Sequence, residues 1–176
     1  VSITVDGDLY TRSFGGPVYG SSLGGSTAPD RMEMWYPIIE KAYAQWKGSY
    51  ERIGNGGHSA TVMSEVLGKT YQSYSVSTAQ QERLFTLIKA GATRKSPMTA
   101  GTYGTDQAAR YTNTGVYANH AYSVLGAVEE NGQKFVQLRN PWGQSEYGSD
   151  GTDDGVFKMP LSTFVQLYQN LAILDS

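Results

Sequence analysis

The stretch NHAYSVLGAVEENGQKFVQLRNPWG, residues 119–143, decides how this chain folds. It opens with one of only two histidines, His120, and closes on the tetrad Asn140-Pro141-Trp142-Gly143. Between them, alternation runs through His120, Tyr122, Val124 and Gly126, then through Phe135, Gln137 and Arg139 against Val136 and Leu138. That period predicts two strands. The turn Glu130-Asn131-Gly132 holds an Asn-Gly pair, which supplies the positive φ angles a tight hairpin needs. Antiparallel pairing brings the start of the first strand beside the end of the second. His120 and Asn140 are therefore expected side by side at one end of the ladder.

That adjacency has a chemical use. An imidazole serving as a general base must present one ring nitrogen outward while its other nitrogen is held. An asparagine oxygen holds it without adding a charge, as in Cys-His-Asn sites. Trp142 is placed to roof the pair and keep water from competing for the bond. A lone strand histidine is ordinarily just a satisfied core residue, and a tryptophan a core aromatic. The hairpin geometry and the tetrad together favour a site.

On these residues the chain resembles the calpain family of papain-like cysteine proteases. The likeness lies in His120-Ala121-Tyr122-Ser123-Val124, in Arg139-Asn140-Pro141-Trp142-Gly143 and in Asp154-Gly155-Val156-Phe157-Lys158-Met159. Upstream it continues in Glu40-Lys41-Ala42-Tyr43-Ala44 and Gly48-Ser49-Tyr50-Glu51, so that it covers most of residues 33–174 in one order. The resemblance implies that His120 is the catalytic base, Asn140 its orienter and Trp142 the cover. It also implies a nucleophilic cysteine, carried in the family on a separate helical subdomain upstream. None of the 176 residues is a cysteine. The chain therefore reads as the second, histidine-bearing subdomain, with a cysteine-bearing subdomain as its partner and a polypeptide as substrate.

Composition fits a single α+β domain over residues 1–176, long enough to bury a core. A net charge of −2 gives no basic footprint for nucleic acid. No apolar run approaches the roughly 20 residues of a membrane-spanning helix. The first residues show no basic segment followed by an apolar one, and the start at Val1 reads as a cut or processed chain. No compartment follows from this.

In order, Ser2 to Tyr10 alternates as a strand, in the place where calpains enter this subdomain. Residues 13–30 read as a Gly-, Ser- and Pro-rich loop. A helix follows Asp30, which can cap it, with Ile38, Ile39, Ala42, Tyr43 and Trp46 on one buried face, Trp35 and Trp46 as core anchors, and Gly48 as its end. Pro37 fits only its first turn. Ser59 is expected to cap a second helix through Val62, Met63, Val66 and Leu67. A third runs from Thr78 or Ala79 to Ala90, burying Leu84, Phe85, Leu87 and Ile88 and closing at Gly91. Residues 96–103 form a strand, and 104–118 a polar loop. Val156 to Met159 is a strand, a short helix runs from Leu161 or Ser162 to Tyr168, and Leu171 to Leu174 is a last strand. The expected whole is a twisted antiparallel sheet system with about three helices.

His58, in a glycine-rich loop, has no asparagine–tryptophan partner and reads as solvated. Two histidines without thiolates do not make a zinc site, and no metal or other cofactor is expected. Glu146, Asp150, Asp153 and Asp154 lie among glycines, which invites calcium, and the resemblance implies calcium binding in this region. Here Val156 stands where many calpains have an acidic residue, and the loop is shorter than theirs. The residues favour an ordinary acidic turn. The expected function is the histidine–asparagine half of a cysteine endopeptidase, inactive alone. The alternative is a non-catalytic regulatory or protein-binding module of the same fold. A papain-type or transglutaminase-like parent fits Asn140 and Pro141 less well.

Overall fold

The computed structural model describes residues 35–175, which fall in two compact units divided after Gly57. The strand expected at Ser2–Tyr10, the loop at 13–30 and the cap at Asp30 lie outside the described residues.

In the first unit, α1 spans Trp35–Lys47 and α2 spans Tyr50–Gly54. The first helix starts early enough to keep Pro37 in its first turn, where the missing N–H costs nothing. Gly48, at φ +111°, donates to the Ala44 carbonyl and ends it. Ser49 caps α2 by accepting from the Arg52 N–H. The expected apolar face is only partly realised. Ala44 is buried, but Ile39 is 45% and Trp46 62% exposed, so Trp46 is not a core anchor. Its indole instead meets the Tyr43 ring edge-on at 5.8 Å and carries the Lys47 ammonium at 4.9 Å. An amphipathic aromatic satisfied by such local contacts can stay at the surface.

The second unit is a six-stranded, wholly antiparallel sheet with helices α3 (Ser59–Leu67), α4 (Gln81–Thr93) and α5 (Leu161–Leu167). Its strands are β1 (Tyr71–Ser75), β2 (Met98–Thr102), β3 (Ala121–Glu130), β4 (Gln133–Arg139), β5 (Val156–Pro160) and β6 (Tyr168–Leu174), in spatial order β1-β6-β2-β3-β4-β5. This is the expected α+β class. Strand β1 has no apolar alternation and lies almost wholly exposed at one edge, so the hydrophobic period could not announce it.

The third helix keeps Ser59 but not as its cap. The cap position is His58, and the Ser59 hydroxyl donates to Thr99 Oγ1 at 2.9 Å. Val62, Val66 and Leu67 on this helix are exposed, and only Ala60 is buried. Helix α4 runs through Gly91 to Thr93 instead of stopping there. A Cβ at Gly91 would lie 2.6 Å from Met98 Sδ and 3.5 Å from Ile173 Cγ2, so this glycine lets the helix press on the sheet. Leu84, Phe85 and Ile88 are buried as expected, while Leu87 is half-buried. The polar loop after β2 contains a 3₁₀ stretch, Thr105–Tyr111. It is pinned by Tyr111, whose buried hydroxyl donates to Leu167 O at 2.7 Å and accepts from Tyr103 N–H at 2.8 Å.

The β3–β4 hairpin turns at Asn131 (φ 52°) and Gly132 (φ 79°), the two positive angles its Asn-Gly pair provides. Its register shifts once. Val124 faces Leu138 but Gly126 faces Gln137, leaving Leu125 as an extra, exposed residue. The buried alternation of Tyr122 and Val124 therefore resumes at Ala127, opposite Val136. This bulge bends the strand just before the hairpin's open end. Tyr122, Val124, Val136, Leu138, Phe157, Met159, Phe164, Tyr168 and Leu171 belong to one buried cluster that includes α4 side chains. Among the described residues no helix is long and apolar enough to cross a membrane.

Leu138 is fully buried in this cluster. Leu138→Ala should lower the unfolding free energy by about 2–5 kcal/mol, seen as a lower denaturant midpoint at unchanged slope. A loss below about 1 kcal/mol would contradict its central packing.

Candidate active site

His120 and Asn140 follow from the two core-facing rows. His120 continues the row of Tyr122 and Val124 just before β3, and Asn140 continues that of Val136 and Leu138 just after β4. Both side chains are thus delivered to the same face at the same end. His120 Nε2 lies 2.9 Å from Asn140 Oδ1.

The backbone of His120 is fastened to β2. Thr102 Oγ1 accepts the His120 N–H at 2.9 Å and donates to the His120 carbonyl at 3.1 Å, while Thr102 N–H donates to that carbonyl at 3.0 Å. Asn119 turns the chain into this clamp at φ 51°, donating to Tyr103 O. Thr102 carried no signal in the sequence beyond its place in a strand.

Asn140 is fully buried, and every polar group of its amide is used. Nδ2 donates to Gln144 O at 2.8 Å and to Ser145 O at 3.1 Å. Oδ1 accepts from Trp142 N–H at 3.2 Å. Two carbonyls around Nδ2 fix which end of the amide is nitrogen, so the oxygen must face the imidazole. An oxygen only accepts. His120 Nε2 therefore carries the proton and donates it, and Nδ1 keeps its lone pair. The neutral ring is held with one nitrogen free to accept a proton.

The tetrad closes back onto β5. Asn140 N–H donates to Gly155 O at 2.7 Å, and Gly143 N–H donates to Asn140 O at 3.0 Å. Gly155 sits at φ +82°, and a Cβ there would lie 2.9 Å from Asn140 O and 3.0 Å from Gln144 N. The glycine of the Asp154-Gly155 pair is required by this approach.

Aromatic rings surround the imidazole. Trp142, 49% exposed, lies beside it with ring centroids 4.2 Å apart, at the rim and not in the core. Tyr122 meets it edge-on from below at 4.9 Å. Tyr117, which lies in a loop of otherwise polar character in the sequence, packs on Trp142 at 4.7 Å. Burial pushes the His120 pKa below the ordinary histidine value, and the Asn140 hydrogen bond opposes that shift.

His58 lies at the exposed start of α3, where its carbonyl accepts from Thr61 and Val62 N–H. The acidic loop spends its carboxylates on its own backbone. Glu146 Oε1 accepts from Asp154 and Gly155 N–H, Asp153 from Ser145, Asp150 from Thr152, and Asp154 from Val156. Among the described residues, no three His, Asp or Glu side chains gather as metal ligands do.

A sequence model of the calpain family of cysteine proteases matches residues 2–154. Mouse Calpain-9 (Mus musculus) is 31% identical over 130 residues, covering 70% of this chain and 19% of that protein. The chicken Calpain-2 catalytic subunit (Gallus gallus) is 29% identical over an aligned length of 203 residues, covering 99% of this chain and 28% of that protein. The rice Calpain-type cysteine protease ADL1 (Oryza sativa subsp. japonica) is 30% identical over 149 residues, covering 81% and 6%. The chain thus spans between 6% and 28% of the length of these relatives.

The lowered His120 pKa has a definite sign in stability. Between that lowered value and the ordinary histidine value, the unfolded chain binds more protons than the folded one, so stability falls as pH falls through this window. Denaturant unfolding across this range should show a shallower pH slope for His120→Gln than for the wild type. Identical slopes would mean that His120 is not buried in its neutral form.

Proposed function

Because the chain belongs to the calpain family of cysteine proteases, we propose that it is the histidine–asparagine half of a peptide-bond hydrolase whose nucleophilic cysteine lies outside this chain. The observation that carries this reading is the His120–Asn140 bond, made by an amide with no spare polar atom and leaving Nδ1 free.

In this mechanism His120 Nδ1 takes the thiol proton of the cysteine supplied by the other half. The thiolate attacks the scissile carbonyl carbon, and the tetrahedral oxyanion collapses as the C–N bond breaks. The imidazolium returns its proton to the leaving amine. A water molecule, deprotonated by the same nitrogen, then hydrolyses the thioester and frees the acid. Through each of these proton transfers Asn140 keeps the ring from rotating, and its neutral oxygen supports the imidazolium without neutralising it. Trp142 shields the His120–Asn140 bond from water, which otherwise competes for both partners. The donors that stabilise the oxyanion belong largely to the cysteine half.

Serine does not replace the thiol. Ser123 lies within β3, and Ser145 lies in the turn after the tetrad with its hydroxyl against Tyr117. Neither stands at a strand-to-helix nucleophile elbow. Calcium has no resident role in this reading, which rests on the short acidic loop and on Val156 following Asp154-Gly155.

The purified chain should cleave no peptide by itself. Supplying a cysteine-bearing half, in trans or joined ahead of residue 1, should produce cleavage that a thiol alkylator abolishes. In that assembly His120→Ala should abolish turnover, while Asn140→Ala should leave a reduced remnant, because orientation is lost but the base remains. Cleavage by the isolated chain that an alkylator does not affect would overturn the reading. An assembled pair that binds peptide without cutting it would point to the non-catalytic module instead.

Calorimetric titration of the chain with calcium should be flat at sub-millimolar concentrations. Tight binding that Asp150→Asn, Asp153→Asn or Asp154→Asn removes would restore a calcium switch.

A further inference from the structure

The loop that leads into β3 does more than connect. Gly115, at φ +74°, lies so close to the turn after the tetrad that a Cβ there would fall 1.7 Å from Glu146 O. No side chain fits between them, so backbone rests directly on backbone. Two residues on, the Tyr117 N–H donates to the Tyr122 hydroxyl at 3.0 Å, anchoring this loop to the buried ring beneath His120. The Tyr117 ring then lies edge-on to Trp142 at 4.7 Å and to His120 at 6.2 Å. Its hydroxyl is 3.2 Å from Ser145 Oγ.

Ser145 is a strategic contact. It holds a positive φ of 66°, which a non-glycine residue keeps only when its surroundings enforce it. Asp153 Oδ1 accepts its N–H, and its carbonyl receives Asn140 Nδ2. The path runs from His120 to Asn140, to Ser145, to Tyr117, and back through Trp142 to His120. Trp142 is half in solvent, so few protein contacts hold its indole in place. Tyr117 supplies one of them.

We infer that Tyr117 is a positioning residue of the catalytic histidine, its ring bracing the Trp142 indole over the imidazole. Tyr117 acts through its neighbours and takes no proton. The inference rests on the protease reading for its link to turnover, but its structural part can be tested on this chain alone. Around the imidazole the ionisable neighbours are the phenols of Tyr117 and Tyr122, and no carboxylate or cation enters the causes of its shift. Loss of ring cover alone therefore moves the midpoint up, while loss of the Asn140 bond moves it down.

The experiment compares Tyr117→Leu, which removes ring and hydroxyl, with Tyr117→Phe, which keeps the ring. Proton NMR titration of the His120 ring in the folded chain should give a midpoint moved up toward the ordinary histidine value in Tyr117→Leu, as water reaches the imidazole. Tyr117→Phe should stay near the wild type. In the assembled protease, Tyr117→Leu should lower kcat by about tenfold or more with KM within about threefold, as misplacement of a catalytic group does, and Tyr117→Phe should recover most of it. Gly115→Ala, which forces the two loops apart, should move the titration in the same direction as Tyr117→Leu. If Tyr117→Leu does not fold, Gly115→Ala and Tyr117→Phe decide the matter. An unchanged His120 midpoint in folded Tyr117→Leu or Gly115→Ala, or a Tyr117→Phe variant as impaired as Tyr117→Leu, would overturn the inference. A wild-type assembly that cleaves nothing would refute the protease reading, while the titration would still decide what Tyr117 does.

Discussion

One hydrogen bond, from His120 Nε2 to Asn140 Oδ1, constrains the rest of the second unit. A buried amide must satisfy two donors and an acceptor or lose roughly 1–3 kcal/mol for each group left bare. Asn140 meets that demand only because the chain from Pro141 to Ser145 curls around it, presenting two carbonyls and the Trp142 N–H. Gly155 must then come within backbone contact of the curl, and Glu146 must reach across to hold the Asp154 and Gly155 N–H groups. The acidic loop is therefore read best as scaffolding for the asparagine. Glu146 and Asp153 serve the same end as the tetrad, holding Gly155 and Ser145 where one amide oxygen stays aimed at one imidazole.

The sheet supplies the other half of the constraint. Core-facing rows on β3 and β4 end at His120 and Asn140, so the register that buries Val124 against Leu138 also sets the two polar side chains on one face. A slip of one residue would turn the whole set outward. The bulge at Leu125 absorbs an extra residue without disturbing the end where the pair sits. Thr102 adds a second anchor from β2, so the histidine is fixed along its backbone as well as at its ring. Stability and site geometry share these contacts, so the core residues Tyr122 and Leu138 also help to hold the His120–Asn140 pair in place.

Much of this was legible before any coordinates. Alternation and the Asn-Gly turn placed the hairpin, and antiparallel pairing then put His120 beside Asn140, because those signals are local. Helix α4 was visible through Leu84, Phe85 and Ile88, but its end was misplaced at Gly91. That glycine serves packing against Met98 and Ile173, a contact some residues distant in sequence. Strand β1 was missed because an exposed edge strand needs no apolar period. Helical spacing alone puts Trp46 on a core-facing stripe, but spacing predicts a face and not what covers it. Tyr117 and Thr102 stayed hidden for a related reason. Their roles depend on where loop 104–118 folds back, and that is set by Tyr111, Gly115 and Glu146 rather than by any pattern near the histidine.

The central claim is that the fold fixes one tautomer of His120, with the proton on Nε2 and a free lone pair on Nδ1. Nitrogen-15 NMR of the histidine ring, recorded above its titration midpoint, reads this directly. The account predicts a proton-bearing shift for Nε2, a bare-nitrogen shift for Nδ1, and collapse of that difference toward a tautomer mixture in Asn140→Ala. A wild-type ring with the proton on Nδ1, or already averaging between the two forms, would contradict it.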